Sequence, residues 1–248
     1  MSRMDWMKTL LVGLLLFGPA HLLYYSSMGQ TSEVEGSVLL ATSPLWVAIL
    51  SFFMLKDESM SAKRWTAIIL SFFGGYIVVV GFKIPNMLGH TKGNLMFGTG
   101  VLLECLMGVI AVRISRRTSG VSVLVGQMWG CAITFWIAAA FLQSQLPLVV
   151  PSPSFATFYP LIYLVLVSGI FTFTMWYRIV EKSPLTLLTV VIAIQPPVAA
   201  LISWRLDGTV PERNTIIGAV VIMVALLLGF VGEKAELQPS LDPAGPAG

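Results

Sequence analysis

Charge is scarce in this sequence: Asp, Glu, Lys and Arg make up only 11% of its 248 residues, against roughly 25% in a soluble globular domain. An ordinary water-soluble globule is therefore excluded. Histidine is scarcer still, with two residues, and no H-E-x-x-H pair is present to hold a catalytic metal. The two cysteines, Cys105 and Cys131, both sit inside apolar runs, so no extracellular disulfide framework is implied. Nor is there a G-x-S-x-G serine or a G-x-x-x-x-G-K-[ST] phosphate loop, which argues against an intramembrane hydrolase and against an ATP-driven machine. The chain is read as not an enzyme, with no cofactor or metal expected. What it has in quantity is apolar surface, 56% hydrophobic residues and a mean hydropathy of +0.84, which neither a disordered chain nor a small disulfide scaffold carries. The solvent it implies is a lipid bilayer. The net charge of +3 then informs orientation and not nucleic-acid binding.

A helix needs about 20 apolar residues to cross the hydrocarbon core, and its backbone must satisfy its own hydrogen bonds there. Eight uncharged runs approach that length: Thr9–Ser27, Ser37–Leu55, Trp65–Phe82, Leu95–Val112, Val121–Leu142, Phe155–Trp176, Leu185–Trp204 and Thr215–Val231. The predicted fold is an all-α, polytopic membrane helix bundle. Short polar connections such as LKDESMSAKR and QSQLPLVVPSPS join the runs, and the Pro- and Gly-rich tail over 233–248 is expected to be a disordered cytoplasmic segment. With the N-terminus inside, eleven Lys and Arg fall on the inner side and four (Lys83, Lys92, Arg205, Arg213) on the outer. The positive-inside rule thus puts both termini in the cytoplasm. A competing reading of Met1–Ser27 as a cleaved signal peptide lacks a small-residue cleavage site after Leu10–Phe17.

Laid over itself at an offset of 152 residues, the segment from Tyr24 to Phe52 meets the segment from Trp176 to Trp204 without a gap. Identical pairs occur at Tyr25/Tyr177, Val38/Val190, Ala41/Ala193, Pro44/Pro196, Ala48/Ala200 and Ser51/Ser203. Both copies share an aromatic pair, a mid-helix proline and a following apolar helix, which is the pattern of an internal repeat. The second and seventh helices are five apart in order, an odd number, so they cross in opposite directions and the repeat is inverted. Inverted repeats enclosing a midplane site are the architecture of secondary transporters.

The stretch YYSSMGQTSEVEGSVLLATSPLWVAILSFFMLKDESMS resembles the drug/metabolite transporter superfamily, in particular its EamA-type branch. The elements that carry the resemblance are Tyr24–Tyr25, Ser26–Ser27, Ala41–Thr42–Ser43–Pro44 and the acidic turn Asp57–Glu58. In the second copy they are Trp176–Tyr177, Ala193–Ile194–Gln195–Pro196 and Gly218. The resemblance implies an incomplete N-terminal repeat of three helices over 1–82 and a C-terminal repeat of five over 95–232. Two departures stand out. Thr209 lies where the second acidic turn would be, and family members usually have ten helices as five plus five, so this chain looks like helices three to ten. A fragment, a misassigned start and a shortened variant are the three explanations left open.

Glu104 is the one charged residue placed near the middle of a helix, where a lone carboxylate costs about 2.5–3.5 kcal/mol on an insertion scale. Gly100, Gly108 and Ala111 share its face, so that face either packs closely on a neighbour or lines a cavity. A buried carboxylate can exchange a proton for a substrate; the alternative is a protonated acid bonded for packing alone. The related small multidrug resistance transporters carry an essential glutamate in the first helix of their four-helix unit, and Glu104 lies in the first helix of the complete repeat. Its glycine follows at the fourth place where that family has it at the third. His21, Tyr24 and Tyr25 fall on one face after Pro19, and aromatic faces suit flat or cationic solutes. Against that stand a histidine satisfied by a carbonyl near Pro19 and an interfacial aromatic belt. His90, in an outer loop, is expected to be merely solvated. Pro44 and Pro196 free the carbonyls of Leu40 and Ile192, and Ser43 and Gln195 bring polar atoms to similar depth, either bounding a central cavity or marking tolerated kinks. Gln127, Cys131 and Thr134 share one face, and Ser168, Thr172 and Trp176 another; helix–helix hydrogen bonding is the favoured use of such short polar groups, pore lining the other.

The reading these observations favour is a secondary transporter of small metabolites across the plasma (bacterial inner) membrane. It would work outward by alternating access, with proton coupling through Glu104. The partners expected are a small-molecule substrate and the lipid bilayer, with a homodimer as the assembly considered and no nucleic acid. The competing readings are an oligomeric proton-coupled multidrug antiporter and a truncated, inactive fragment.

Overall fold

The computed structural model describes residues 3–55, 61–84, 89–142, 155–183, 185–208 and 210–237. Among them the structure is all-helical, with one isolated backbone bridge between Met28 and Thr31. Six helices are long and apolar enough to cross a membrane: Arg3–Ser27, Glu33–Met54, Ala62–Val80, Thr91–Ser115, Gly120–Phe141 and Phe158–Val180. The seventh predicted run is instead two shorter helices, Leu185–Ile192 and Gln195–Asp207, and the last helix is Arg213–Leu237 with its apolar stretch at Arg213–Gly229. That helix carries five residues of the expected tail; 238–248, the acidic turn Asp57–Glu58, Thr209 and the connection 143–154 lie outside the described residues.

Local chemistry sets the ends. Ser32 and Glu35 form a reciprocal cap, the serine hydroxyl accepting from the Glu35 N–H while the carboxylate accepts from the Ser32 N–H. This starts the helix at Glu33, four residues before the apolar run. Ser61 caps Ala62–Val80 at Arg64 N–H, and Gly81, at φ +73°, ends it in a conformation that side chains avoid. The second span breaks at Thr42. Pro44 has no N–H for the Leu40 carbonyl, and the Ser43 hydroxyl donates to that oxygen instead, while the Thr42 hydroxyl donates to Leu39 O at 2.6 Å. Two stretches, Gly13–Phe17 and Leu164–Thr172, widen to i→i+5 bonding, a form concentrated at functional or strained places.

Element boundaries recur at a constant offset. The helix start at Ser43 recurs at Gln195, 152 positions on. The widened turn Gly13–Phe17 falls on Leu164–Thr172, the break at Thr42 on the one at Ile194, and Ala62–Val80 on Arg213–Leu237 to within a residue at its start.

The chain forms two compact units. The first comprises Met1–Leu22 and Leu106–Ser183, with a core of Phe17, Met107, Ala111, Val123, Leu124 and Tyr177. Here Arg3–Ser27 and Gly120–Leu142 lie backbone against backbone: Gly13 sits on Gln127, Gly126 on Thr9, and Gly130 on Leu10 and Leu14. Glycines four apart permit that approach, which is how membrane helices associate without a hydrophobic drive between them. Thr134 donates across the contact to Leu14 O at 2.8 Å. In the same unit no described side chain from Phe155 to Thr172 is buried. The second unit comprises Leu23–Cys105 and Pro184–Gly248, with a core of Ala48, Ala67, Ile68, Val190, Ile222, Ala225 and Leu226. A close approach in it brings Gly74 of Ala62–Val80 against Gly218 of Arg213–Leu237.

Candidate functional site

Within the second unit the structure brings together two of the residues singled out by sequence. Tyr24, near the end of Arg3–Ser27, donates its hydroxyl proton to Glu104 Oε2 at 2.5 Å. Glu104 comes from the middle of Thr91–Ser115 and is half-buried. A hydroxyl donating to a carboxylate makes a short, strong bond, and here it meets the requirement that an intramembrane carboxylate find a partner. Phe97, two turns before Glu104, packs its ring at a tilt against that of Tyr24, the centroids 5.0 Å apart, and rests over Gly36, where the absence of a side chain makes room. Cys105, the next residue after Glu104, points its thiol at the Ser43 carbonyl at 3.8 Å. The broken second span therefore touches this neighbourhood through Ser43, and Pro44 is buried beside it. One turn beyond Glu104, a Cβ at Gly108 would meet nothing within 4 Å, so that side of the helix is open.

This local arrangement sets a carboxylate in the middle of a membrane-length helix against one hydroxyl donor, with two aromatic rings beside it. Tyr25, the neighbour of Tyr24, is exposed. Phe97 was not anticipated. The signal for it was its seven-residue spacing from Glu104, which places both on one helix face.

The first unit gathers a different set. Gln127 is 1% exposed, and its Oε1 accepts a hydrogen bond from the Tyr177 hydroxyl, while its Nε2 has no partner. The Met107 sulfur lies 4.0 Å from the same hydroxyl, and Trp176 packs half-buried against this core. His21 turns back along its own helix to Phe17 O at 3.0 Å and meets the Phe17 ring edge-on at 4.4 Å. Thr134 thus bonds across to Arg3–Ser27 and Gln127 to Tyr177 of Phe173–Val180, both the geometry of helix–helix hydrogen bonding. Tyr177 is the member of the Trp176–Tyr177 pair that bonds Gln127. Gln195 and Pro196 open the helix Gln195–Asp207, but their side chains lie outside the described residues.

A third polar group, in the second unit, corrects the expectation for His90. Its Nδ1 lies 2.8 Å from Oε2 of Glu35, a carboxylate only 5% exposed. Thr31 donates to Asn94 Oδ1 at 2.5 Å alongside. A buried carboxylate needs partners, and the helix-start position of Glu35 makes His90 one of them. Among the described residues no group of three or more His, Cys, Asp or Glu could hold a metal ion.

The sequence model of the EamA-like transporter family matches residues 2–80 and 91–231. The chain is similar to three proteins of Bacillus subtilis (strain 168). The uncharacterized transporter YyaM is 22% identical, over 83% of this chain and 67% of that protein. The uncharacterized transporter YetK is 25% identical over 86% and 64%, and the uncharacterized transporter YdfC 21% over 85% and 67%. The chain spans about two thirds of the length of these relatives. One solved crystal structure shares the fold at a TM-score of 0.77 and 15% identity, over 92% of this chain and 78% of that one.

Proposed function

The chain belongs to the EamA-like transporter family of the drug/metabolite transporter superfamily and is an integral membrane protein; from that premise we propose that it is a secondary transporter exporting small metabolites across the plasma (bacterial inner) membrane, with Glu104 as the proton-exchanging carboxylate. The observation that carries this reading is the 2.5 Å bond from Tyr24 to Glu104. An intramembrane carboxylate is costly and marks a proton or substrate path, and a hydroxyl partner of this kind offsets that cost. Both termini are cytoplasmic in this reading, on the eleven-to-four division of Lys and Arg.

Alternating access in this proposal comes from two inverted repeats, 1–82 with three helices and 95–232 with five. The recurrence of the break before the proline and of the widened turn at 152 positions supports the repeat. Within the second unit, Tyr24, Tyr25, Ser43 and Pro44 are assigned to the transport path beside Glu104. Tyr24 and Phe97 rings beside a carboxylate also favour the antiporter reading, in which cations are the solutes.

The test is proton movement in proteoliposomes holding an internal pH dye, challenged with a panel of amino acids and with tetraphenylphosphonium. Solute-evoked proton flux is expected in the native protein and its loss in Glu104→Gln, with Tyr24→Phe retaining a reduced flux. Unchanged flux in Glu104→Gln would sink the proposal. Topology reporters fused to each terminus check the cytoplasmic assignment separately.

A further inference from the structure

One side of Thr91–Ser115 carries a line of contacts that ends at the intramembrane carboxylate. From the residue just before the helix, His90, Asn94, Phe97 and Glu104 follow at spacings of four, three and seven, which keeps them on one face. Each meets a residue of the stretch from Tyr24 to Gly36. His90 lies 2.8 Å from Glu35, Asn94 Oδ1 accepts from Thr31 at 2.5 Å, and the Phe97 ring covers Gly36 and meets Tyr24. Glu104 then accepts from Tyr24. The Asn94 side chain also bonds the Glu35 carboxylate, and no side chain would fit at Gly93 against the Gln30 carbonyl. The turn that follows Tyr24 and the first turn of Thr91–Ser115 are thus clasped together, about 21 Å along the helix from Glu104.

We propose that His90 is a proton site that operates this clasp and, through it, positions Tyr24 against Glu104 from the outer side of the membrane. The proposal deepens the transporter reading and rests on it for the role of Glu104 and for the side that His90 faces. Of the pair, His90 is the member that water reaches, with 51% of its side chain exposed against 5% for Glu35. Histidine is the side chain that ordinarily changes charge between about pH 5 and 8. An ionised carboxylate only accepts, so the bond needs a proton on Nδ1. The imidazolium always has one there, and its bond is charge-assisted, roughly twice as strong as a neutral one. The neutral ring has a single proton to place on either nitrogen. Outer acidity therefore tightens the clasp, and loss of the proton loosens it while Thr31 and Asn94 keep their bond. The other charged residues of the neighbouring elements are Glu33, Lys83 and Lys92, all exposed, and Glu104 far along the helix. The external proton that loads Glu104 then also holds its hydroxyl partner in place.

The test places nitroxide labels at Met28→Cys and Leu95→Cys, exposed positions on the two sides of the clasp, in the full chain with Cys105→Ala and Cys131→Ala. The protein is reconstituted in phosphatidylcholine–phosphatidylglycerol vesicles, and dipolar broadening reads the separation of the labels. With His90 present, the ratio of clasped to released protein should fall about fivefold between about pH 5.5 and about pH 8, the difference between a charge-assisted and a neutral hydrogen bond. His90→Gln should remove the pH dependence. His90→Lys, charged across this range, should hold the clasped spectrum at both ends. A spectrum with His90 that ignores pH, an equal change in His90→Gln, or His90→Lys behaving as His90→Gln would each overturn the clasp. Positioning is read by solute-evoked proton flux over the same external pH range, where His90→Gln should flatten the native profile; an unaltered profile would overturn the link to Tyr24. The spectra read no transport, so a native protein without flux refutes the transporter reading and leaves the clasp to be judged by the labels, while a failed clasp leaves the loss of flux in Glu104→Gln standing.

Discussion

Replacing Gly218 by alanine should be more damaging than the same change at Gly74 or Gly36. A Cβ there would lie 2.6 Å from the Gly74 carbonyl oxygen, 2.8 Å from the Val78 nitrogen and 2.5 Å from Val78 Cγ2. Two of those atoms are backbone and cannot rotate away. To restore an ordinary 3.4 Å contact the helices Ala62–Val80 and Arg213–Leu237 must part by about 0.8 Å, a gap that forfeits roughly a quarter to a half of each facing dispersion contact. Added to the general cost of overpacking, the loss should be about 2–3 kcal/mol. Gly74→Ala should cost less, about 1 kcal/mol, because its tightest neighbour at 2.7 Å is Ile222 Cγ1, a side chain that can turn. Gly36→Ala is the control. Its Cβ would meet the Phe97 ring at 3.6 Å, ordinary contact, and alanine's helix preference should give a gain of up to about 1 kcal/mol. Unfolding of the three variants by SDS in mixed micelles, followed by tryptophan fluorescence, should rank them Gly36→Ala, Gly74→Ala, Gly218→Ala from most to least stable. If Gly218→Ala unfolds at the same SDS fraction as Gly36→Ala, the backbone contact is not there.

Two other changes test single interactions. Tyr177→Phe leaves both ends of the Gln127 amide bare in a site 1% exposed and should cost about 1–3 kcal/mol, whereas Tyr177→Phe with Gln127→Leu should recover most of it; strictly additive losses in the double-mutant cycle would refute the pairing. Ser32→Ala removes the cap on Glu35 N–H at about 1 kcal/mol and should raise hydrogen exchange at that amide, so unchanged protection would contradict the cap.

Six of the eight apolar runs reappear as membrane-length helices, because twenty uncharged residues in lipid leave the backbone few alternatives. Their starts were less legible. The Ser32–Glu35 cap obeys a spacing visible in the sequence, but an apolarity search begins only where the charges stop. The break at Thr42–Pro44 was readable from proline chemistry, and the hydroxyl of Ser43 that satisfies Leu40 follows from the same freed carbonyl. Glu104 stood out by charge alone. Its partner did not, since Tyr24 lies 80 residues away and adjacent tyrosines look alike until packing selects one. His90 was misread because its partner Glu35 sits at a helix start, outside the apolar run, and a loop position says nothing of which buried carboxylate it will reach.

The bend in the second span is sealed from within: Pro44 opens it and Ser43, one residue earlier, closes the carbonyl that the proline leaves behind. A helix whose bend depends on a lodged water molecule straightens when the surroundings dry out, but this one carries its own solvation. It therefore behaves as a fixed elbow and not as a joint.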